Sequence, residues 1–290
     1  MTDATLEAAV GSALLAKLDT AETQLRGLGG ALVALSGGAD SALVVALARR
    51  ALGPRAEAAM GVSPAYPAEE LASARSVCAL LDVRLHEVPT GQLEDADFLR
   101  NDGQRCFHCR DDLYGVLGPL AAARGLAAIC DGTNVDDLGE HRPGLRAARQ
   151  AGVISPLADA GITKAEVRTA SRALGLPTWD KPQQACLSSR IPRGTPITLG
   201  ALHRVEQAER WLRQQGFRQL RVREHGEVAR LELPEEDIGR LAEEPLRSRC
   251  VAALRGLGYA FVSLDLEPFA TGRLNRIGAD SDANAAPEVP

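Results

Sequence analysis

Three groups of residues in this chain have the types and spacing to do chemistry. The first is Ser36-Gly37-Gly38-Ala39-Asp40-Ser41, set between two apolar runs, residues 31–35 and 42–52. A short buried strand, a glycine turn and a helix aim several backbone N–H groups and the positive helix end at one point. Gly37 and Gly38 permit positive φ and close approach of backbone to a ligand, and the Ser36 and Ser41 hydroxyls add donors. The spacing is neither G-x-x-x-x-G-K-[ST] nor G-x-G-x-x-G. What remains is a loop built for an anion, phosphate above all; the competing reading is a βα turn with no ligand. The second group is the cysteines, of which there are six. Cys186 lies in KPQQACLSSRIPRGT, a proline-rich polar stretch with Lys181, Arg190 and Arg193 close in sequence. The thiolate is the reactive form, so nearby cations matter. Cys106-x-x-Cys109 by itself is a weak signal, read as a zinc site with a fourth ligand such as His108 or as a redox pair. Cys78 and Cys250, inside helical patterns, and Cys130 at a strand end read as small buried hydrophobes. Third, Arg221 and Arg223 alternate with Leu220 and Val222, which puts both guanidinium groups on one face of a strand. Two such groups side by side suit a phosphate or a carboxylate, with Glu209 and Glu232 to orient them or handle protons. A solvated charged face is the bland alternative.

The elements that must position these residues follow from periodicity. The chain has 290 residues, 45% hydrophobic and 24% charged, enough for one large or two modest domains with a sizeable core. Net charge is −5, which argues against nucleic acid as the main partner. No apolar run reaches the about 18 residues of a membrane span. The N-terminus lacks a basic region followed by an apolar stretch, so a cytoplasmic location with reduced thiols is expected. Residues 2–28 carry helical spacing (Leu6, Ala9, Val10, Leu14, Leu18, Leu25) and predict one amphipathic helix. Strands are predicted at 31–35, 58–62, 84–88 and 127–130, with helices at 42–52, 68–81 and 111–125. Such alternation means an α/β, doubly wound parallel sheet, in which ligands sit at the carboxyl ends of strands. Ser36–Ser41, Val62 with Ser63, and the turn Asp131-Gly132-Thr133-Asn134 would all lie there. Residues 93–110 are polar and irregular, and Thr163 with Glu166 forms a capping box. Beyond the functional connector loop 181–198, a helix at 199–215, a hairpin turning at His225-Gly226, a helix interrupted at Pro245 and a strand at 259–264 make a smaller α+β domain. The expected domains are 1–180, 199–274 and a disordered tail, 275–290.

SGGADS matches the pyrophosphate-loop pattern SGGxDS of the PP-loop ATP pyrophosphatases. Together with DGTN, the RPG element at 142–144, KPQQACLSSRIPRGT and the RVREHGEVARLELP hairpin, the chain resembles the LarE family, motif by motif and in order, from the loop to Leu264. These are ATP-dependent sulfur transferases of nickel-pincer nucleotide cofactor biosynthesis. The resemblance implies that a carboxylate of a nicotinate-derived pyridinium mononucleotide is adenylated by ATP with loss of pyrophosphate, and that sulfur then attacks the activated acyl group. It implies that Ser36, Gly37, Gly38 and Ser41 hold pyrophosphate, that Asp40 organises Mg²⁺, and that Val62, Ser63 and Gly132 line the nucleotide site. Cys186 becomes the sulfur centre, Arg221, Arg223 and Glu209 its helpers, and Arg142, Ser189, Arg190 and Glu232 the substrate contacts. One branch of the family sacrifices a single cysteine; another carries three that bind a [4Fe–4S] cluster, and Cys106, Cys109 and Cys186 fit the second. Relatives also imply a homo-oligomer and a sulfide or other sulfur donor as partner. An acidic residue near Arg240 in some relatives has Asp237 as its nearest counterpart here. The competing functions are a PP-loop amidotransferase, a tRNA thiolase, and a nucleotide-binding module without turnover.

Overall fold

The computed structural model describes residues 3–138 and 143–270, with side chains from residue 5 onward. The chain divides into two compact units: Met1–Asp95 with Gln104–Gln184, and Ala96–Gly103 with Ala185–Pro290. The division thus falls inside the expected connector 181–198. The return of Ala96–Gly103 to the second unit is a discontinuity that a linear reading of the chain does not show. Its cause is Asn101, fully buried at φ +57°, whose side-chain amide donates to the carbonyls of Pro192 (2.8 Å) and Thr195 (2.9 Å).

The first unit runs α1 (Asp3–Val10), α2 (Ser12–Gly27), β1 (Ala31–Ala34), α3 (Ala39–Leu52), β2 (Ala56–Val62), α4 (Ala68–Leu81), β3 (Arg84–Pro89), α5 (Arg105–Ala123), β4 (Ala128–Cys130), α6 (Pro143–Gln150) and α7 (Lys164–Ala173). Two expectations change. The helix predicted over 2–28 is broken at Gly11, whose φ of +81° leaves the helical region. The polar stretch ending in Cys106-Phe107-His108-Cys109 is not irregular to its end: α5 begins at Arg105, so both cysteines stand on its first turns. The strands form a parallel sheet in the order β3-β2-β1-β4. Alternation along β1 explains the all-apolar run. Ala31 and Val33 face one core with α2, α3, α4 and α7, while Leu32 faces another with Tyr114, Leu117 and Ala148. Leu32 and Val33, both fully buried, each contribute about 1.5–3 kcal/mol by leaving water. Because β2 and β3 lie to one side of β1 and β4 to the other, the sheet has its switch point at β1 and β4, where a crevice opens beyond the strand ends.

The second unit holds α8 (Leu199–Gln214), β5 (Arg221–His225), β6 (Val228–Glu232), α9 (Glu235–Ala242), α10 (Leu246–Gly256) and β7 (Phe261–Leu264). The hairpin turns at Gly226-Glu227, one residue later than expected, because Gly226 takes the φ of +68° and His225 still pairs with Val228. β7 adds parallel to β6. Leu220, Val222, Ala229, Leu231 and Leu233 pack with Leu212, Leu254 and Tyr259 into this unit's own core. Among the described residues no helix is long and apolar enough to cross a membrane. The expected disordered tail lies outside the described residues.

Candidate active site

The bend after β1 is tied into the sheet edge by contacts that leave no room for side chains. The Leu35 N–H donates to the Ala59 carbonyl (2.8 Å), after which the chain turns back into α3. The Ser36 N–H donates to Ser41 Oγ, and the two serine hydroxyls lie 3.1 Å apart. Gly37 has φ +79°, and a Cβ there would stand 2.3 Å from the carbonyl oxygen of Glu70 on α4. A Cβ on Gly132, in the turn after β4, would stand 2.5 Å from the backbone N of Ser41. Both glycines are therefore required by close approach of backbone to backbone, and Gly37 by conformation as well. Lys181 locks the bend from outside: Nζ donates to Gly37 O (3.0 Å), Glu70 Oε2 (2.9 Å) and Ser73 Oγ (2.7 Å). Its charge, which sequence reading assigned to the neighbourhood of Cys186, is spent on the bend. The first N–H groups of α3 have no intrahelical partner, and the positive end of the helix lies at this bend.

Asp40, in the first turn of α3, lies between two partners that the sequence reading did not single out. Asn134 Nδ2 donates to Oδ1 (3.2 Å), and the Lys164 ammonium pairs with Oδ2. A carboxylate beside an anion loop is the oxygen donor that a hard divalent cation takes, so the residues fit Mg²⁺. The turn carrying Gly132 is braced by Asp131, almost fully buried, which accepts from Thr133 Oγ1 and Ser155 Oγ, both at 2.8 Å.

At the end of β2, Val62 is 37% exposed and Ser63 follows. Ser63 Oγ accepts from the fully buried Gln92 (3.0 Å). Tyr66 OH lies 3.1 Å from Cys109 Sγ and donates to Gln92 Oε1 (3.4 Å). The end of β2 and the C-x-x-C helix are thus joined within the first unit. Cys106 is exposed and Cys109 half-buried. Cys78, Cys130 and Cys250 are buried, and burial pushes their thiols up to about 11, 12 and 11, as expected of packing residues. Among the described residues no three histidine, cysteine, aspartate or glutamate side chains stand together as metal ligands. That includes His108, whose Nδ1 is 3.9 Å from Asp95. Arg142 lies outside the described residues.

In the second unit Cys186 is half-buried and opens a one-turn 3-10 helix, Leu187–Arg190. Arg190, expected to meet substrate, is instead fully buried. Its guanidinium makes a two-pronged pair with Glu209 (2.7 and 2.9 Å) and donates to the carbonyls of Ala185 (2.6 Å) and Cys186 (3.0 Å). It shapes the cysteine turn from beneath. Glu209 is equally buried and also accepts from Arg213 and the Val222 N–H. Arg223 donates to the Ser189 carbonyl (2.9 Å) and to Glu232 (2.7 Å), while its Nε has no hydrogen-bond partner among the described residues. Burial, and then the neighbouring Arg190 charge, push Arg221 down to about 9. Arg190, Arg221 and Arg223, all buried, and the half-buried Arg213 thus gather around Glu209 and Glu232, with Arg230 also pairing to Glu232.

Residues 15–101, from α2 through the bend and past β3, match the NAD synthase family model. An uncharacterized protein of Synechocystis sp. is 42% identical over 247 residues, 85% of this chain and 92% of its own length. The pyridinium-3,5-bisthiocarboxylic acid mononucleotide synthase of Lactiplantibacillus plantarum is 35% identical over 263 residues, 90% of this chain and 95% of that protein. The chain belongs to the LarE family. An uncharacterized protein of Methanocaldococcus jannaschii, 26% identical over 189 residues, covers 65% of the chain.

Against that LarE assignment, the residues sequence reading passed over are those whose role is to hold others. Lys164 had one signal, its place beside the Thr163–Glu166 capping box, which the structure bears out. Asn134 stood in a turn already singled out. Gln92, Tyr66 and Asn101 had no signal at all, since their partners lie 17 or more positions away.

Proposed function

We propose that this LarE-family enzyme adenylates a carboxylate of a pyridinium-3,5-dicarboxylic acid mononucleotide and converts it to a thiocarboxylate. The observation that carries the reading is the crevice at the switch point. The Gly37-Gly38 bend, the Gly132 turn packed on Ser41, and the Asp40 carboxylate held by Asn134 stand together at the carboxyl edge of the parallel sheet, where such folds take phosphate. The carboxylate oxygen attacks the α-phosphorus of ATP, the bond to the bridging oxygen breaks, and pyrophosphate departs into the bend. Ser36, Ser41 and the α3 N-terminus neutralise the leaving charge; Asp40 would hold Mg²⁺, whose chemistry there would be to shield phosphate charge. Val62, Ser63 and Gly132 line the nucleotide side.

Cys186 Sγ then attacks the acyl carbon and AMP leaves. Cleavage of the Cβ–Sγ bond with loss of the Cα proton releases the thiocarboxylate and leaves dehydroalanine; alternatively an external sulfide replaces that sulfur. The Arg221–Arg223 face, with Ser189, is the anchor for the substrate's phosphate or its second carboxylate, with Glu209 and Glu232 orienting the arginines; the unpartnered Arg223 Nε supports it. The three thiols Cys106, Cys109 and Cys186 have the donor chemistry of a [4Fe–4S] cluster. The described residues gather no three-ligand group of His, Cys, Asp or Glu. The reading includes a homo-oligomer in the cytoplasm, where thiols stay reduced.

The test is an anaerobic turnover with ATP, Mg²⁺ and the dicarboxylate mononucleotide. AMP and pyrophosphate in equal amounts, dependent on the mononucleotide, are expected. ADP and phosphate, or no nucleotide turnover, would refute the reading. Intact mass then separates the sulfur sources: loss of the mass of hydrogen sulfide from the protein means Cys186 is consumed, an unchanged mass with thiocarboxylate product means external sulfide.

A further inference from the structure

Lys164 is the first residue of α7, and its backbone there is fixed three times over. Its own N–H donates to Asp136 Oδ2 (2.7 Å). The preceding Thr163 and Glu166 close the capping box, with Thr163 N–H to Glu166 Oε2 at 2.8 Å. Glu166 is in turn held by Lys17 of α2 at 2.8 and 2.9 Å. Only the four-carbon stem and its ammonium are left to move. That ammonium rests on Asp40 Oδ2, at the mouth of the bend, with the Lys164 side chain 31% exposed and that of Asp40 25% exposed. A positive charge thus already occupies the carboxylate that the proposed reaction needs for its divalent cation.

We propose that Lys164 is a resident cation of the bend: it neutralises Asp40 when no nucleotide is bound, yields that carboxylate to Mg²⁺, and then faces the polyphosphate. The chemistry is an exchange of one cation for another. Asp40 stands among convergent N–H dipoles, and a carboxylate on an anion site would repel the incoming phosphates unless neutralised. An ammonium on a flexible stem serves both states, because it is a compact point charge with no fixed partner geometry. Asn134, on the other carboxylate oxygen, keeps Asp40 oriented while the partner changes. The inference rests on the ATP reading above and adds a role for a residue that reading does not use.

Two effects of opposite sign follow, which a merely structural lysine would not produce. With Lys164→Met the ammonium no longer competes for Asp40, so the metal binds more tightly. The phosphates lose a charge, so AMP formation slows. The experiment titrates the full chain with Mn²⁺, first without nucleotide and then with α,β-methylene-ATP against a blank of the nucleotide alone, reading free Mn²⁺ by electron paramagnetic resonance and taking the difference as protein-bound metal. Lys164→Met is expected to bind Mn²⁺ about 1.5- to 5-fold more tightly, the span of a partly exposed ion pair, and to form AMP at least about tenfold more slowly. Lys164→Arg, which keeps the charge, should bind Mn²⁺ as the parent does. Lys164→Gln serves if the methionine variant does not fold, with the same direction expected. Equal or weaker Mn²⁺ binding in the uncharged variants overturns the role of Lys164. Should neither parent nor variant bind Mn²⁺ with the nucleotide, the ATP reading falls and the proposal with it.

Discussion

Glu209 is the residue whose removal most directly tests how the second unit is held together. Both carboxylate oxygens are fully buried and each accepts two donors. Oε1 takes Arg190 Nε at 2.7 Å and the Val222 N–H at 3.1 Å; Oε2 takes Arg190 Nη2 at 2.9 Å and Arg213 Nη2 at 2.8 Å. Glu209→Ala leaves the Arg190 guanidinium, itself with no exposed surface, without its counter-charge. Breaking a buried pair from one side costs about 3–5 kcal/mol, a large share of the about 5–15 kcal/mol that holds a domain folded. Glu209→Gln keeps the shape and one acceptor but points amide N–H donors at arginine donors; about 1–3 kcal/mol is expected. Trp211 lies on α8, two residues from Glu209 and packed against the second core, so its fluorescence in a Trp179→Phe background reports on this unit alone. Urea melts should show the midpoint falling in the order parent, Gln, Ala. A pH series adds an independent arm. Burial raises the Glu209 carboxyl, but the Arg190 charge and hydrogen bonds outweigh it and leave it at about 2, below its ordinary 4.5. A depressed carboxyl stabilises the fold above its unfolded value and loses that contribution as pH falls from about 4.5 toward 2. The alanine variant should therefore show a flatter acid limb. An alanine variant within about 1 kcal/mol of the parent, with an unchanged acid limb, would refute the claim that this buried charge pair holds the cysteine turn.

Two further outcomes follow from the bend. Gly37→Ala should abolish AMP formation: it forces a Cβ to 2.3 Å from the Glu70 carbonyl at a φ of +79°, and a thermal melt should show the structural cost, about 1–2 kcal/mol from the backbone conformation before the clash is counted. Lys181→Met should raise the KM for ATP more than it changes kcat, because it releases the bend from Glu70 and Ser73 without removing any group proposed to touch phosphate; steady-state kinetics at saturating substrate check it.

What the sequence determined by itself was whatever depends on neighbours along the chain. The all-apolar run before Ser36 meant a strand buried on both faces; the two glycines meant a bend that backbone could approach; Thr163 with Glu166 meant a helix start. Alternation in Arg221–Arg223 put two charges on one face. Each is a local geometry written in consecutive residues. The tertiary structure decided what those residues are partnered with. Lys181 went to Gly37 and Glu70, Arg190 into the core beneath Cys186, Lys164 to Asp40, and Asn101 into the 192–195 loop. No periodicity announces such pairings, because a charged or amide side chain takes whichever buried partner the fold brings within about 3 Å, and burial makes leaving it unpaired too costly.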